Sequence, residues 1–523
     1  MKMNAPTSVL FLWHMHQPLY KKPKDKLYLL PWVRLHGVKD YFGFVYHLSK
    51  FSKIKANFNF SPVLLDQIID YVSNGATDVY LELTKKNPSY LSFKERSFII
   101  KRFFSVNKST LIETYPRYFQ LYEASLSKKP KYFTDQEIRD IQVYFNLTWF
   151  HPLTVREDNN LTEIFRKAKE FDEDDKVYII NKQYQVLSQI IPLYKRLLDE
   201  GKIEISLSPY YHPILPLLCD TEVLKKHNQT PPGARFSYPQ EAFWQISQAK
   251  KKGESLFNTQ IEGSWPSEGA VSESVVSLYK EVGFSWIATD EEILFRTLRE
   301  KEPFTIPRHI IYQPYFFKDM LIFFRDKGLS DLISFVYHSW EDQKCASLDL
   351  LAHLRNIHDF VSSIYKKRMV LIVMDGENAW EYYKMNAWDF LESLYQGLEE
   401  SPQLKSETIS SFIKDAGSFK MIKKELWPGS WINADFSVWA GSQENNHNWE
   451  ILSKVKKCID REKARLSPRE VEKLYYYLRI IEGSDWNWWN TYKDSTGDFK
   501  KIFSSYVKEI SRILNINIID ILY

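Results

Sequence analysis

Two carboxylates stand out for where they fall. Residues 259–275 read T-Q-I-E-G-S-W-P-S-E-G-A-V-S-E-S-V, with Glu268 between Gly263 and Gly269 and three residues after Trp265. Residues 371–383 read L-I-V-M-D-G-E-N-A-W-E-Y-Y, so an apolar run delivers Asp375 to its end, with Gly376 next. A carboxylate there is costly unless it is paired, hydrogen-bonded or protonated. Capping the next helix is its ordinary alternative use. Two such groups at the mouths of nearby strands are the minimum kit for cleaving a glycosidic bond. One attacks the sugar or activates water, and the other protonates the leaving oxygen; a separation of roughly 5–5.5 Å gives retention of configuration. Glu262, Glu273 and Glu377 are rivals for membership of the pair. Glu273 is the weakest, because it falls in the first turn of a helix, where an acid complements the dipole.

Three further stretches carry chemistry. His14-Met15-His16-Gln17-Pro18 places two histidines at i and i+2, on one side of a strand. They are read as substrate contacts; a zinc site would want a third ligand, from Asp290 or His212. Residues 201–216, G-K-I-E-I-S-L-S-P-Y-Y-H-P-I-L-P, read as a strand running into a rigid loop, where His212 lines the same mouth or is a surface histidine. Residues 482–489, E-G-S-D-W-N-W-W, hold three tryptophans and Asp485. They read as a wall of a sugar site, or as packing between a helical region and the strands.

These residues need elements to position them. Seven short apolar runs end in polar residues: 9–16, 56–62, 203–209, 261–266, 284–290, 320–326 and 369–375. Alternating with helical patterns, they predict a parallel α/β barrel or a doubly wound sheet. Functional groups gather at the carboxyl ends of such strands, because the strand-to-helix loops open there. Residues 332–340, L-I-S-F-V-Y-H-S-W, are an eighth strand or a barrel-associated segment. After Glu268, Ser272 caps a helix that buries Val275, Tyr279 and Val282 and ends at Gly283. The expected division is a catalytic barrel over 1–385, with a helix-rich insertion around 65–195, and a helical domain over 386–523. In the latter, 449–458 is amphipathic and Ser467-Pro468-Arg469-Glu470 opens a helix.

Composition narrows the class. Across 523 residues, 70 Lys+Arg against 66 Asp+Glu leave a net charge of +4, which lacks the electrostatic footprint of a nucleic-acid binder. The 16 Trp, 32 Tyr and 34 Phe offer rings for stacking on sugars as well as core. Three scattered cysteines argue against a disulfide framework or a structural zinc site. No run approaches the roughly 18 apolar residues of a membrane span or resembles a signal peptide, so a cytoplasmic protein without membrane attachment is expected.

Taken together, the motifs resemble glycoside hydrolase family 57. H-Q-P at 16–18, G-K-I-E-I-S at 201–206, W-P-S-E at 265–268, M-D-G-E-N-A-W at 374–380 and E-G-S-D-W-N-W-W at 482–489 occur in the family's order. Supporting stretches begin at Pro31, Trp286, Phe324 and Gly429. The resemblance implies a (β/α)7 barrel followed by a helical domain, with retaining chemistry on α-glucans or malto-oligosaccharides and no cofactor or metal. It makes Glu268 the nucleophile and Asp375 the general acid/base. It puts His14, His16, Trp265, Trp380, Asp485 and Trp488 around the sugar, with Gln17, Trp32, His212 and Asp290 completing the expected contacts. The H-Q-P and D-G-E-N-x-W-E forms are similar to the α-amylase/amylopullulanase branch. Asn487 and Asn490-Thr491 depart from the family's usual aromatic run after S-D-W. In this scheme Asp375 holds its proton near neutral pH while Glu268 stays ionised. Alternatives are a 4-α-glucanotransferase using the same pair, a zinc-dependent α-mannosidase or deacetylase, and a non-catalytic glucan-binding protein.

Overall fold

In a computed structural model, residues 5–299, 306–415 and 419–522 are described. All seven expected runs form strands: β1 (Thr7–Met15), β2 (Ala56–Phe60), β3 (Ile203–Leu207), β4 (Gly263–Ser264), β5 (Trp286–Asp290), β6 (Met320–Arg325) and β7 (Met369–Asp375). β7, β1, β2 and β3 pair in parallel in one sheet, and β4, β5 and β6 pair in parallel in a second. The sheets adjoin on both sides. The Ser264 hydroxyl donates to the Leu207 carbonyl at 2.6 Å, and the Asp326 amide donates to the Leu371 carbonyl at 2.7 Å. The result is a (β/α)7 barrel with its strands in chain order. Parallel neighbours joined by helices are the arrangement that continuous apolar strands demand.

The alternation inside each strand explains what reaches the mouth. Leu10 and Leu12 of β1, Ala288 of β5, Leu321 and Phe323 of β6, and Leu371 and Val373 of β7 belong to one buried cluster inside the barrel. Two residues beyond the last of these on each strand come His14, Asp290, Arg325 and Asp375. Period-2 geometry therefore aims these polar groups up the same axis as the apolar filling. Register sets them level: His14 lies opposite Asp375 on one side and Asn59 on the other, and Asp290 lies opposite Arg325. The short helix Ile409–Lys414 closes the amino end, burying Ile409 and Phe412 in the same cluster.

Residues 332–340 are not an eighth strand. They form consecutive helical turns, Leu332–Val336 and Tyr337–Ser339, which bury Ile333 and Tyr337 and leave Phe335 outside. A short apolar run of this length suits a buried helical turn as well as a strand. After β7, Leu404–Ser406 pairs with β1 and Lys420–Met421 pairs with Tyr315–Phe317. The chain then becomes helical, with Gln443–Glu462, Pro468–Ile481, Asp485–Thr491 and Asp498–Leu514. Ser467 and Glu470 form a reciprocal capping box at the start of the second of these. Between β2 and β3 runs a helical insertion, ending in the 27-residue helix Glu173–Asp199. No helix among the described residues is long and apolar enough to cross a membrane.

Candidate active site

Glu268 sits in a tight turn at the end of β4. Pro266 starts the turn, the Gly269 amide closes it on the Pro266 carbonyl at 2.7 Å, and Glu268 itself takes the left-handed conformation (φ 56°, ψ 25°). A non-glycine residue there carries a local cost of order 1 kcal/mol and persists because its surroundings over-determine it. Gly269 follows at φ 60°, where a Cβ would come within 2.8 Å of the Trp265 ring. The helix Glu273–Val282 then starts on Ser272, whose hydroxyl accepts from the Val275 amide, and ends at Gly283 in the left-handed region.

Trp431 clamps this turn twice. Its indole Nε1 donates to Glu268 Oε2 at 2.7 Å, and its amide donates to the Glu268 carbonyl at 2.9 Å. Burial and then the charge of Asp375 push the Glu268 carboxyl up to about 8, against the opposing pull of the Trp431 hydrogen bond. Burial also raises Asp375, opposed by the Asn378 amide, which donates to Asp375 Oδ2 at 3.0 Å, and by His16 and Arg325. Both carboxyls are thus pushed toward the protonated form, rather than Asp375 alone. Each one's charge opposes ionisation of the other, so a proton held on Asp375 removes part of the push on Glu268.

Three histidines stand beside this pair. His212, also left-handed at φ 58°, places Nδ1 4.0 Å from Glu268 Oε1 and 3.0 Å from the Ser484 hydroxyl. Its Nε2 lies 3.1 Å from His14 Nε2, and its ring stacks on that of His16 at 3.8 Å. With the Asn59 amide nitrogen toward His14 Nδ1 at 2.7 Å, Asn59 satisfies both Ser206 and Ser208 as well. The hydrogen bonds then run one way: Asn59 to His14, His14 to His212, and His212 to Ser484. Burial holds His14 down to about 3 and His212 well below its ordinary value, so both rings are neutral. His16 bridges the Ser61 hydroxyl at 2.7 Å and Asp485 at 3.0 Å.

Asp375, Trp431 and Trp488 line a cavity of about 700 Å³ that opens beside these groups. The structure therefore gathers Glu268, Asp375, His14, His16, His212, Asp485 and Trp488 in one region. It leaves five expected sugar contacts outside the lining of that cavity. Trp265 is fully buried inside the barrel below Glu268, packed edge-on against Trp431. Trp380 is equally buried, stacked on Phe44 and edge-on to Trp13. Trp32 packs toward Tyr80 and Trp149. Asp290 is taken by Arg325, 2.7 Å away, and caps the following helix. Gln17 is buried with Glu377 and accepts from the Tyr20 hydroxyl.

Glu262 accepts from the Ser285 hydroxyl and Glu273 pairs with Lys318, both at half-buried positions. Glu377 is buried behind Asp375, with one oxygen accepting from the His16 amide and the other lacking a partner. Residues that the motif argument gave no role include Trp431 and Arg325, whose guanidinium lies over the Trp431 ring at 4.8 Å. Both fall in stretches that supported the family resemblance, which was the available signal.

Among the described residues, His16, His212 and Asp485 bring three ligand atoms within 4.8 Å of one another, a donor set that could hold a metal ion. Of the two further zinc ligands considered, His212 joins His16 in this set, while His14 and Asp290 lie outside it. Each side chain in the set already has a hydrogen-bond partner within the protein.

Solved structures share this fold. The chain resembles a branching enzyme of family 57 from Thermococcus kodakaraensis, with a TM-score of 0.63 at 15% identity over 97% of this chain and 90% of that one. It resembles an α-amylase from Thermotoga maritima at TM-score 0.62 and 13% identity, over 98% and 93%. A 4-α-glucanotransferase from Thermococcus litoralis gives 0.54 at 13% identity, over 97% of this chain and 60% of that one. No curated protein matches the chain by sequence. A model of glycosyl hydrolase family 57 matches residues 10–425, and the chain belongs to that family.

Proposed function

We propose that this protein is a retaining α-glucan-active enzyme that opens α-1,4 glucosidic bonds by double displacement. The observation that carries the proposal is the Glu268 carboxylate, fixed by Trp431 at 2.7 Å and electrostatically coupled to Asp375 at the edge of the cavity. Glu268 attacks the anomeric carbon and Asp375 gives its proton to the leaving oxygen. A covalent glycosyl-enzyme results, and Asp375 then takes a proton from the incoming hydroxyl. The neutral His14–His212 pair, bonded onward to Asn59 and Ser484, and the His16–Asp485 pair hold the polar wall beside Glu268 in one arrangement before substrate arrives. The fold is shared with enzymes named for branching, amylase and glucan transfer, which supports the α-glucan class.

Maltoheptaose and pullulan, incubated separately with the protein, test this reading. Wild type should convert maltoheptaose, and Glu268→Gln or Asp375→Asn should abolish turnover with the fold unchanged by circular dichroism. Wild-type rates in both variants would sink the assignment. Pullulan cleavage would extend the activity to α-1,6 bonds.

A further inference from the structure

A second cleft, of about 760 Å³, opens on the flank of the barrel where the C-terminal helices meet it, and no residue lines both it and the cavity beside Asp375. The loop 209–212 divides the two. His212 turns to Glu268, while Tyr210 and Tyr211 line the cleft. The helix Pro239–Phe257 supplies Trp244 and Gln248, one turn apart and so on one face. The helix Pro468–Ile481 supplies Tyr476 and Tyr477. These rings are fixed from behind. The Tyr210 hydroxyl donates to Asp66 at 2.6 Å, and the Arg479 guanidinium lies over the Trp244 ring at 3.8 Å. The Tyr211 and Trp244 rings are parallel within 3°, with centroids 6.4 Å apart. Rings already ordered lose little entropy on binding.

Unlike core aromatics, several of these carry polar groups with nothing to bond. Tyr211 is 8% exposed and Tyr477 4%, yet neither hydroxyl has a hydrogen-bond partner among the described residues. The same holds for the Tyr476 hydroxyl and the Gln248 amide. A buried phenol is ordinarily bonded, so these groups point to a ligand rich in hydroxyls. Charge argues against an ionic ligand. Lys21 pairs with Asp70, Lys24 with Glu509 and Lys252 with Asp66, while Lys22 and Asp25 offset each other in sign. The shape suits a chain: a further hollow of about 760 Å³ adjoins the cleft across Trp244 and Gln248, which line both. We propose that this cleft is a second, non-catalytic glucan-binding site, which holds a neutral α-linked malto-oligosaccharide segment. Trp244 and Tyr476 offer rings to the C–H faces of the sugars, and Tyr211, Tyr477 and Gln248 bond their hydroxyls. The proposal rests on the α-glucan reading above and deepens it: the enzyme grips a long glucan away from the bond it opens.

Equilibrium dialysis of maltoheptaose against Glu268→Gln, in which turnover is expected to stop, counts the sites. Two oligosaccharides per chain are expected at saturation. Adding Tyr476→Ala should weaken one site about tenfold, the loss of one ring contact, and Tyr476→Phe in its place should restore it. Adding Tyr211→Phe, which removes only an unbonded hydroxyl, should weaken the same site about fivefold. One oligosaccharide per chain, or a second site indifferent to both Tyr476→Ala and Tyr211→Phe, overturns the proposal. Pyrophosphate bound in place of maltoheptaose and lost in Lys22→Ala would make the cleft an anion site and overturn it equally. Wild-type turnover is read separately. Turnover with only one site leaves the catalytic reading standing, whereas two sites without turnover would sink that reading and keep the cleft.

Discussion

Trp431 holds Glu268 by both side chain and backbone: Nε1 to Oε2 at 2.7 Å, and amide to carbonyl at 2.9 Å. The same indole is covered by Arg325, which is itself held by Asp290. A carboxylate in a left-handed turn is thus braced through three residues on other elements. Such bracing orients a nucleophile before substrate arrives.

Trp431→Phe keeps the ring and removes the donor. The indole N–H favours ionised Glu268, so its loss raises that carboxyl further and shrinks the ionised fraction on the acid side. The expected outcome is a kcat/KM lower by about 10- to 100-fold, the effect of losing a hydrogen bond to a charged group. The acid limb of the pH–rate profile should move toward alkali. An unmoved limb would count against the indole as the group that tunes Glu268.

The raised Glu268 carboxyl makes stability depend on pH. Below the ordinary carboxyl value of 4.5, folded and unfolded chains both hold the proton. Between there and about 8 the unfolded chain releases a proton that the folded chain keeps, so stability falls as pH rises. Glu268→Gln escapes this loss. Its Tm advantage over wild type should grow from pH 4.5 to pH 8, reaching on the order of a few °C. A difference that stays constant across this range would contradict the raised carboxyl.

Two tryptophans once grouped as sugar contacts should now separate. Trp265→Ala opens a hole inside the barrel, and a loss of about 3–5 kcal/mol in denaturant unfolding is expected. Trp488→Ala, on the cavity wall, should raise KM for malto-oligosaccharides at a stability cost below about 1 kcal/mol. Equal stability losses for the two would contradict this division.

Because the ligand atoms of His16, His212 and Asp485 already have protein partners, dialysis against EDTA should leave maltoheptaose turnover unchanged. Activity lost to EDTA and restored by zinc would move the assignment to the metal-dependent alternative.

Seven strands, their parallel order and the residues at their ends were legible because each is written locally. β1 reads as an apolar run that stops at His14, and β7 as one that stops at Asp375. Periodicity over five to nine residues is enough to place such elements. The capped helix after Glu268 was legible for the same reason: Ser272 and Gly283 act within one turn of their own positions.

What the tertiary structure alone decided is how distant residues face one another. Trp431 lies 163 residues from Glu268, and Tyr476 lies 265 residues from Tyr211 (476 − 211). Nothing in local spacing links either pair; barrel closure and the returning C-terminal helices bring them together. Trp265 illustrates the same limit from the other side. Three residues before Glu268, its ring was read as a sugar contact, yet closure of the barrel buries it against Trp431. The sequence by itself determined which groups arrive at the mouth. Which rings support that mouth and which line it depended on contacts between remote segments, whose energies arise only once the apolar strands have closed around a common core.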